Sequence, residues 1–477
     1  MRHVYAAVLA IFPLLAAARS TSSTRSANVN YSRIFGGLSA NASIHYPGQA
    51  DYNTTTVQRW STWDEPTFAV TIKPATDEDV QYIIKTANHH NLSFFATGGG
   101  HGGETGFASV KQAVNIDLSN FKENVLDLKA NTLTVGPGNP FSAFETNLYN
   151  AGKVVPVGNA FCVNMIGATI GAGVGPFQGL HGLVIDALRS VRLVTASGKI
   201  VTASESENPD LFWAVRGAGA NFGVITSATY EIYDAPNNGN LIEADFTYPG
   251  STNGSLWQLL ESWDETYPKE MGLTVDATYD QTTGETSAAA SLTYFGTQEA
   301  AQPWIDQFLA LNPTRWRNIT VPWSKASESA SYGEAAAKTS ASTYTEVYNN
   351  YVEIMKSRPW LTGALVVQRF NTTATLAVPE SKRGVYPGRE ISSLIILENY
   401  YDGPAHDAEV YSISKKLRDQ LVPTSGFDSL TTYINYAHGD EGPEVWYGKD
   451  NLPRLVQLKK KWDPEGKFGA GNPIPRS

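Results

Sequence analysis

The feature that most constrains this chain of 477 residues is a glycine run interrupted by one histidine, Gly98-Gly99-Gly100-His101-Gly102-Gly103, between two apolar segments. Glycine lets the backbone adopt a positive φ and approach a flat or anionic ligand closely, because no Cβ intervenes. A histidine in such a turn can direct its ring at whatever the backbone holds. The same composition also suits an ordinary tight turn with an uninvolved histidine, so other parts of the chain must decide between these interpretations.

Two further glycine-dense segments follow within about 130 residues. One spans residues 158–175, and the other runs from Arg216 to Gly223 and leads into a β-branched segment. Neither carries a G-x-G-x-x-G pattern between a strand and a helix, and the chain has no G-x-x-x-x-G-K-[ST] loop, which argues against Rossmann and P-loop nucleotide sites. Three such turns instead predict backbone amides that converge on one extended, phosphate-bearing cofactor.

Hydrophobic periodicity predicts a mixture of strands and helices on both sides of a polar linker at residues 234–240. A Thr-Asp-Glu-Asp cap opens a predicted helix over residues 76–91, and a second helix is predicted over Pro140–Ala151. Alternating apolar residues predict strands at 68–72, 92–96, 113–117, 132–135, 273–279, 288–294 and 393–399. Such a mixture favours an α+β fold with a separate layer after the linker.

The charge balance limits the classes of partner. The formal net charge is −10, whereas nucleic acids and anionic membrane surfaces both require a basic face. No later segment supplies about 20 consecutive apolar residues for a membrane span. The chain is rich in aromatic residues, with 23 Tyr, 19 Phe and 11 Trp, and these can line sites for planar organic ligands or sugars. The expected partner is therefore a small molecule, with no nucleic acid and no membrane.

The N-terminus predicts secretion. A short basic start, an apolar run over residues 4–15 and three alanines form a signal peptide, for which we expect cleavage near Ala18. N-x-S/T sequons support export and predict N-glycans; they begin at Asn30, Asn41, Asn53, Asn91, Asn253, Asn318 and Asn371. The chain contains one cysteine, Cys162, so it cannot form an internal disulfide.

The chain after the signal peptide resembles the berberine-bridge-enzyme group of flavin oxidases, which belongs to the vanillyl-alcohol-oxidase and p-cresol-methylhydroxylase superfamily. Six motifs carry the resemblance, and they follow in order over about 370 residues. They are Gly99-Gly100-His101, Gly167-x-x-Ile170-Gly171-x-Gly173-x-Gly175, Asp210-Leu-Phe-Trp213-Ala-Val-Arg216-Gly, Asn221-Phe-Gly223-Val-Ile-Thr226, Tyr433-Ile-Asn435-Tyr436, and Tyr447-Gly448 with Arg454-Leu455, Asp463-Pro464 and Phe468.

The resemblance implies an α+β, two-domain flavoprotein with a bipartite FAD-binding domain and an α+β substrate domain built on an antiparallel sheet. The expected boundaries are a signal peptide at 1–18, an N-terminal wrap at 19–60, the FAD-binding domain at 61–235, the substrate domain at 236–425 and a C-terminal segment at 426–477 that returns to the FAD domain.

The same resemblance implies that His101 is bonded to the 8α-methyl group of FAD. It also assigns a set of residues that contact the cofactor, while no metal is expected. The predicted cofactor-binding residues are Gly98, Gly99, Gly100, His101, Gly102, Gly158, Cys162, Gly167, Ile170, Gly171, Gly175, Asn221, Gly223, Ile225 and Asn472.

Many members of the group carry a second link, from a cysteine to flavin C6. The family spacing, counted back from Gly167, puts that cysteine at position 160, which is alanine here. Cys162 lies two positions further on and faces the same side of an extended segment. Two alternatives therefore stay open: a single link through His101 with Cys162 as core or pocket lining, or a displaced thioether through Cys162.

A flavin oxidase removes a hydride from a carbon while a base takes the proton of the attached hydroxyl or amine. The resemblance places Glu398 near the family's Glu/Gln position, and Tyr433 and Tyr436 are the other candidates. Glu398 can equally be one half of an ion pair with an arginine. Both tyrosines can equally belong to an aromatic core, and a phenol would need a polar neighbour to act as a base.

The predicted function is that of a secreted FAD-dependent oxidase. It would take a hydride from an alcohol or amine carbon of a small organic molecule or an oligosaccharide and pass it through covalently held FAD to O₂, forming H₂O₂. The alternative is an FAD-containing isomerase or cyclase of a secondary metabolite, without a net redox step. A secreted binding protein is a third hypothesis, against which the intact flavin motifs argue.

Overall fold

The computed structural model describes residues 29–325 and 334–476, so the predicted signal peptide lies outside the described residues. The chain divides after Gly36 into two compact units. Within the described residues, the first unit contains one short helix, α1 (Tyr31–Ile34), whose start is capped where Arg33 N donates to Asn30 Oδ1 over 2.9 Å. All the other elements belong to the second unit.

The strands of the second unit form four sheets. They are β1 (Ser43–His45), β2 (Phe68–Lys73), β3 (Phe94–Thr97), β4 (Ala113–Asp117), β5 (Asn124–Asp127), β6 (Thr132–Val135), β7 (Lys153–Val154), β8 (Leu188–Val194), β9 (Ile200–Ser204), β10 (Val224–Glu231), β11 (Tyr233–Asp234), β12 (Asn240–Pro249), β13 (Met271–Tyr279), β14 (Thr286–Tyr294), β15 (Arg315–Pro322), β16 (Glu334–Ala336), β17 (Thr362–Phe370) and β18 (Ser393–Tyr400).

The helices lie between these strands and after the last of them. They are α2 (Tyr52–Thr55), α3 (Asp77–His89), α4 (Glu145–Asn150), α5 (Met165–Thr169), α6 (Gln178–His181), α7 (Val184–Ala187), α8 (Pro209–Ala218), α9 (Asn253–Glu261), α10 (Gln298–Leu309), α11 (Ala341–Lys356), α12 (Thr373–Ala377), α13 (Asp407–Leu421), α14 (Pro443–Tyr447) and α15 (Leu452–Trp462). Within the described ranges, no helix is long and apolar enough to cross a membrane.

The first sheet, in the order β1-β2-β4-β3, positions the glycine–histidine turn. Its β2, β4 and β3 strands are parallel, and α3 crosses from β2 to β3 as the cap at Thr76 predicts. The capping box is complete, because Asp79 N donates to Thr76 Oγ1 and Thr76 N donates to Asp79 Oδ2. The strand β3 ends at Thr97, so the turn begins at the carboxyl ends of the parallel strands.

A five-stranded antiparallel sheet, β5-β6-β10-β8-β9, lies next along the chain. The segment between β6 and β8 carries the second glycine region, and the third begins at the end of α8 and continues to the start of β10. The single helix predicted over Pro140–Ala151 is wrong as one element. A 3₁₀ turn at Phe141–Ala143 precedes α4, because Phe144 adopts a non-helical backbone (φ −124°, ψ −9°) and its ring is buried in the core.

The strands after the linker form one antiparallel sheet of seven strands, in the order β15-β12-β14-β13-β17-β18-β16. Its two faces differ. Leu365 and Val367 face a core shared with α9, α11 and α13, whereas Ala364 and Val366 lie on the opposite face beside Ile396. The three predicted strands of this region are confirmed, as is the α+β fold class with an antiparallel sheet in the second layer. The domain boundaries stay predictions.

The sequons differ in accessibility. Asn253 is 7% exposed, and its Nδ2 donates to the Gly250 carbonyl over 2.6 Å, so this sequon cannot carry a glycan in the folded protein. Asn41, Asn53 and Asn91 are exposed. N-glycosylation therefore stays a prediction for the accessible sequons alone.

Candidate active site

A cleft of about 330 Å³ brings the three glycine regions and the C-terminal segment together. Every predicted cofactor-binding residue lines it except Cys162 and Gly175, and both candidate tyrosines line it as well. From the first region these are Gly98, Gly99, Gly100, His101 and Gly102; from the second, Gly158, Gly167, Ile170 and Gly171; from the third, Asn221, Gly223 and Ile225; and from the C-terminal segment, Tyr433, Tyr436 and Asn472.

The glycine–histidine turn is held against the segment that precedes β2. Gly100 has a φ of +76°, and a Cβ there would overlap the Gln58 carbonyl oxygen. Trp60 N donates to the Gly100 carbonyl over 3.0 Å. Only glycine satisfies both the backbone angle and this close approach, which explains the residue type at position 100.

The ring of His101 is fixed on two sides. It stacks on Trp60 with a centroid distance of 5.7 Å and an interplanar angle of 19°. Burial lowers the pKa of His101, a hydrogen bond to the Cys162 backbone carbonyl opposes this, and the charge of Arg59 lowers the pKa further. A neutral imidazole that donates one N–H to a carbonyl keeps a lone pair on its other nitrogen, so His101 has the protonation state of a nucleophile.

The structure separates the two positions considered for a second flavin link. Ala160 lines the cleft, whereas Cys162 is partly buried and lies outside the residues that line it. The known contribution of Cys162 to the site is its backbone, which binds His101. Gly175 also lies outside the cleft lining, and a Cβ there would overlap the Val157 carbonyl oxygen. Close backbone packing thus explains this glycine.

Tyr433 supports the second glycine region through its hydroxyl group. Its hydroxyl oxygen accepts hydrogen bonds from Gly173 N (3.1 Å), Val174 N (3.2 Å) and Asn435 Nδ2 (2.7 Å). Burial raises the pKa of Tyr433, and the three donors oppose this rise. The residue is 3% exposed, so most of its ring supports the turn although one edge reaches the cleft.

Tyr436 lies between the cleft and the seven-stranded sheet. Its ring packs on Ala364, Val366 and Ile396, and its hydroxyl donates to Gln368 Oε1 over 3.4 Å. The structure thereby places one phenol between the cleft and the face of the sheet that carries Gln368.

The predicted Glu398 lies on the same face of β18 as Ile396, but it is outside the cleft lining. Its Oε2 accepts a hydrogen bond from Tyr400 over 3.3 Å. Burial, together with the Glu398 charge, raises the pKa of Asp276 on β13 to about 7. Sequence reasoning missed Asp276, although a carboxylate within the alternating strand 273–279 was a visible signal.

Comparison with known proteins settles the family. A model of the FAD binding domain matches residues 68–204, and a model described as "Berberine and berberine like" matches residues 432–475. The FAD-linked oxidoreductase tazL of Aspergillus terreus is 80% identical, over 98% of each chain. The chain belongs to the berberine-bridge-like family of FAD-linked oxidoreductases.

Other relatives of this oxidoreductase agree. The FAD-linked oxidoreductase fmqD of Aspergillus fumigatus is 42% identical, over 96% of this chain and 95% of that one. Among solved structures, the glucooligosaccharide oxidase from Acremonium strictum has a TM-score of 0.76 at 18% identity, with coverage of 92% and 98%. That protein carries a 6-S-cysteinyl, 8α-N1-histidyl FAD. At this identity the similarity concerns the fold.

The lining of the cleft fits FAD. A Cβ added at Gly167 would meet nothing within 4 Å, and one at Gly98 would come no closer than 3.5 Å to the Pro137 carbonyl, so both glycines leave open space. Two buried oxygens of lining residues, Glu104 Oε2 and Asn472 Oδ1, have no hydrogen-bond partner among the described residues. Glycine backbone that is open to the cleft and buried polar atoms without a partner together suit a ligand with a flat ring and a polar chain.

A buried lysine, which sequence reasoning missed, ties the third glycine region of the oxidoreductase to its C-terminal segment. Lys459 Nζ donates to Asp463 Oδ2 (2.7 Å), to the Asn221 carbonyl (2.8 Å) and to the Phe468 carbonyl (3.0 Å). The Asn221 side chain in turn donates to Tyr447 Oη over 2.9 Å. Asn221 thus lines the cleft and also anchors the tail. The sequence signal for the buried lysine was the i, i+4 spacing of Lys459 and Asp463 at the end of α15.

Substituting two glycines of the oxidoreductase separates cofactor contact from packing. Gly167→Ala places a methyl group in open cleft space within α5, so we expect an unchanged or slightly higher free energy of unfolding and a lower ratio of flavin to protein absorbance. Gly175→Ala meets the Val157 carbonyl, so we expect a loss of about 1–3 kcal/mol in the free energy of unfolding. Urea titration measures the free energy of unfolding of each variant, and visible spectra measure its flavin content. Equal changes of both quantities in the two variants would contradict the distinction between cofactor contact and packing.

Proposed function

We propose that this oxidoreductase is a secreted oxidase that oxidises an alcohol or amine carbon of a small organic molecule or an oligosaccharide. The observation that carries the proposal is that His101, which stacks on Trp60, and Tyr436, whose hydroxyl contacts Gln368 of the sheet, line one cleft. Such a cleft offers an attachment point for FAD and a phenol for proton transfer within one site.

When bound, FAD accepts a hydride from the substrate carbon and passes the electrons to O₂, forming H₂O₂. The contribution of His101 is a covalent bond from the ring nitrogen that faces away from Cys162. We propose a single link, which is supported by alanine at the lining position 160 and by Cys162 lying outside the cleft lining. The doubly linked flavin of the glucooligosaccharide oxidase shows the arrangement that a cysteine would allow.

We propose that Tyr436, after its own hydroxyl proton has passed to solvent, is the base that takes the substrate proton. Tyr433 is less suited, because hydrogen bonds from three donors already occupy the lone pairs of its oxygen, and its role is to hold the second glycine region. Gln368 is a neutral amide, so it orients the Tyr436 hydroxyl without taking up its proton. Glu398 lies outside the cleft lining, and its charge raises the pKa of Asp276, so we do not assign it as the base.

Peroxide formation tests the function. Purified protein is incubated with a panel of oligosaccharides, alcohols and amines, and H₂O₂ is measured by a peroxidase-coupled assay. We expect a yellow protein and peroxide with at least one substrate class. Conversion of a metabolite without peroxide would favour the isomerase or cyclase alternative, and a colourless protein that does not take up added FAD would overturn both.

Substitution of the proposed base has a large expected effect. Tyr436→Phe removes the hydroxyl but keeps the ring that packs on Ala364, Val366 and Ile396, so the fold is preserved. We expect flavin reduction by substrate to slow by about 10²- to 10⁴-fold, measured in anaerobic stopped-flow experiments. Tyr400→Phe is the control, since Tyr400 is 54% exposed and contacts Glu398. A larger loss in the control would assign the proton transfer to Glu398.

A further inference from the structure

Glu104 is a carboxyl group of the cleft to which the proposed oxidation gives no role. It lies three residues after His101, lines the cleft, and has a buried Oε2 without a hydrogen-bond partner in the described part of the chain. Two glycine backbones enclose it: a Cβ at Gly102 would lie 2.8 Å from Oε2, and a Cβ at Gly471 would lie 3.4 Å from Cδ. The carboxyl group is therefore held in place beside the cofactor space.

The positive charge that acts on Glu104 is that of Arg59, whose guanidinium also makes other contacts. The Arg59 guanidinium donates to the Gly102 carbonyl and lies over the Phe107 ring at 4.9 Å. Glu441 faces Glu104 as a second carboxyl group, and it accepts hydrogen bonds from His438 N (2.8 Å), Gly439 N (3.0 Å) and Trp446 Nε1 (2.9 Å). The other titratable groups of the lining are His101, Tyr433, Tyr436, Tyr447 and Lys467.

This environment favours the protonated form. Burial raises the pKa of Glu104 to about 7; a hydrogen bond from its own backbone amide and the charge of Arg59 oppose the rise, and the charge of Glu441 adds to it. Near neutral pH the group is thus divided between a neutral acid, which can donate a hydrogen bond, and an anion, which can only accept.

We propose that FAD binding to this protein is proton-coupled, with Glu104 as the group that takes up the proton. FAD brings the negative charges of its pyrophosphate into the cleft that Glu104 lines, so a carboxylate there would be repelled. One proton from solvent on Oε2 removes that repulsion and converts an unsatisfied acceptor into a donor for an oxygen or nitrogen of FAD. The bound cofactor in turn holds the proton on Glu104, as reciprocal linkage requires.

The coupling has a defined size. Above the pKa of Glu104 in the FAD-free protein, one proton must be acquired for each FAD bound, so the Kd for FAD rises about tenfold per pH unit. Below that pKa the group is already neutral, and its contribution to the pH dependence disappears. Replacement by glutamine, which is uncharged and of similar shape, removes this contribution at every pH.

The test compares the full-length H101A protein, freed of FAD, with the H101A/E104Q double variant. The H101A change makes binding reversible and also removes the titration of His101. The Kd for FAD is measured by quenching of flavin fluorescence between about pH 6 and 9. We expect the affinity of H101A to fall about tenfold per unit above pH 7 and that of the double variant to fall markedly less. The same dependence of the Kd for FAD on pH in both proteins would overturn the proposal.

Proton counting provides a second, independent measurement. Calorimetric titration of FAD into each protein at pH 8, in two buffers of different ionisation enthalpy, gives the number of protons taken up. We expect about one proton more for H101A than for the double variant. Equal uptake would assign the proton to another group, even if E104Q weakened FAD binding through packing alone. The outcome is independent of substrate oxidation and of covalent attachment, because neither is measured.

Discussion

Replacing His101 with alanine is expected to leave a folded protein that no longer retains FAD after denaturation. The imidazole stacks on Trp60 and binds the Cys162 backbone, so its loss costs local contacts but no element of the core. With the proposed single link, no other side chain of the cleft is bonded to the flavin. In-gel flavin fluorescence and the mass of the denatured protein measure the effect, and the expected loss of covalent FAD is complete.

Cys162→Ala is the matched control for this experiment. The substitution keeps the backbone carbonyl that orients His101 and removes only the thiol. We expect an FAD adduct on the peptide that contains His101, in the same yield as in the unmodified protein. Covalent FAD in the H101A variant would contradict the assignment, and loss of part of the attachment in the Cys162 variant would establish the displaced thioether.

Replacing Asp463 with asparagine is expected to destabilise the protein by about 3–5 kcal/mol, because it leaves a buried ammonium group without its anion. The side chains of Lys459 and Asp463 are 3% and 0% exposed. Burial lowers the pKa of Lys459, and Asp463 opposes this, so the lysine depends on its partner to remain charged. Asp463 also accepts hydrogen bonds from the backbone amides of Lys467 (2.8 Å) and Phe468 (2.9 Å).

The helix α15 offers a matched exposed pair as the control. Lys461 and Asp210 are 2.6 Å apart, but their side chains are 58% and 29% exposed. We expect Asp210→Asn to change the free energy of unfolding by less than about 1 kcal/mol, since water screens such a pair. Urea unfolding followed by tryptophan fluorescence measures both variants. Equal losses would show that burial does not decide the strength of these ion pairs.

Local patterns predicted much of the fold and pointed to many of the residues that line the cleft. The cap at Thr76 and the alternation in residues 273–279, 288–294 and 393–399 led to the correct elements, because capping and burial periodicity depend on near neighbours in the chain. The prediction failed for Pro140–Ala151, where burial of Phe144 in the core overrides the helical tendency of the segment.

The glycine–histidine turn, its two companions and the C-terminal tyrosines were identifiable from the sequence alone, because glycine requirements and motif order are properties of the chain itself. Only the tertiary structure decided which of these residues reach the cleft. It placed Ala160 at the cleft and Cys162 outside its lining, gave Tyr433 a bracing role, and brought Glu104 against Gly471. These relations join segments up to several hundred residues apart, so they depend on packing and burial, which no local pattern encodes.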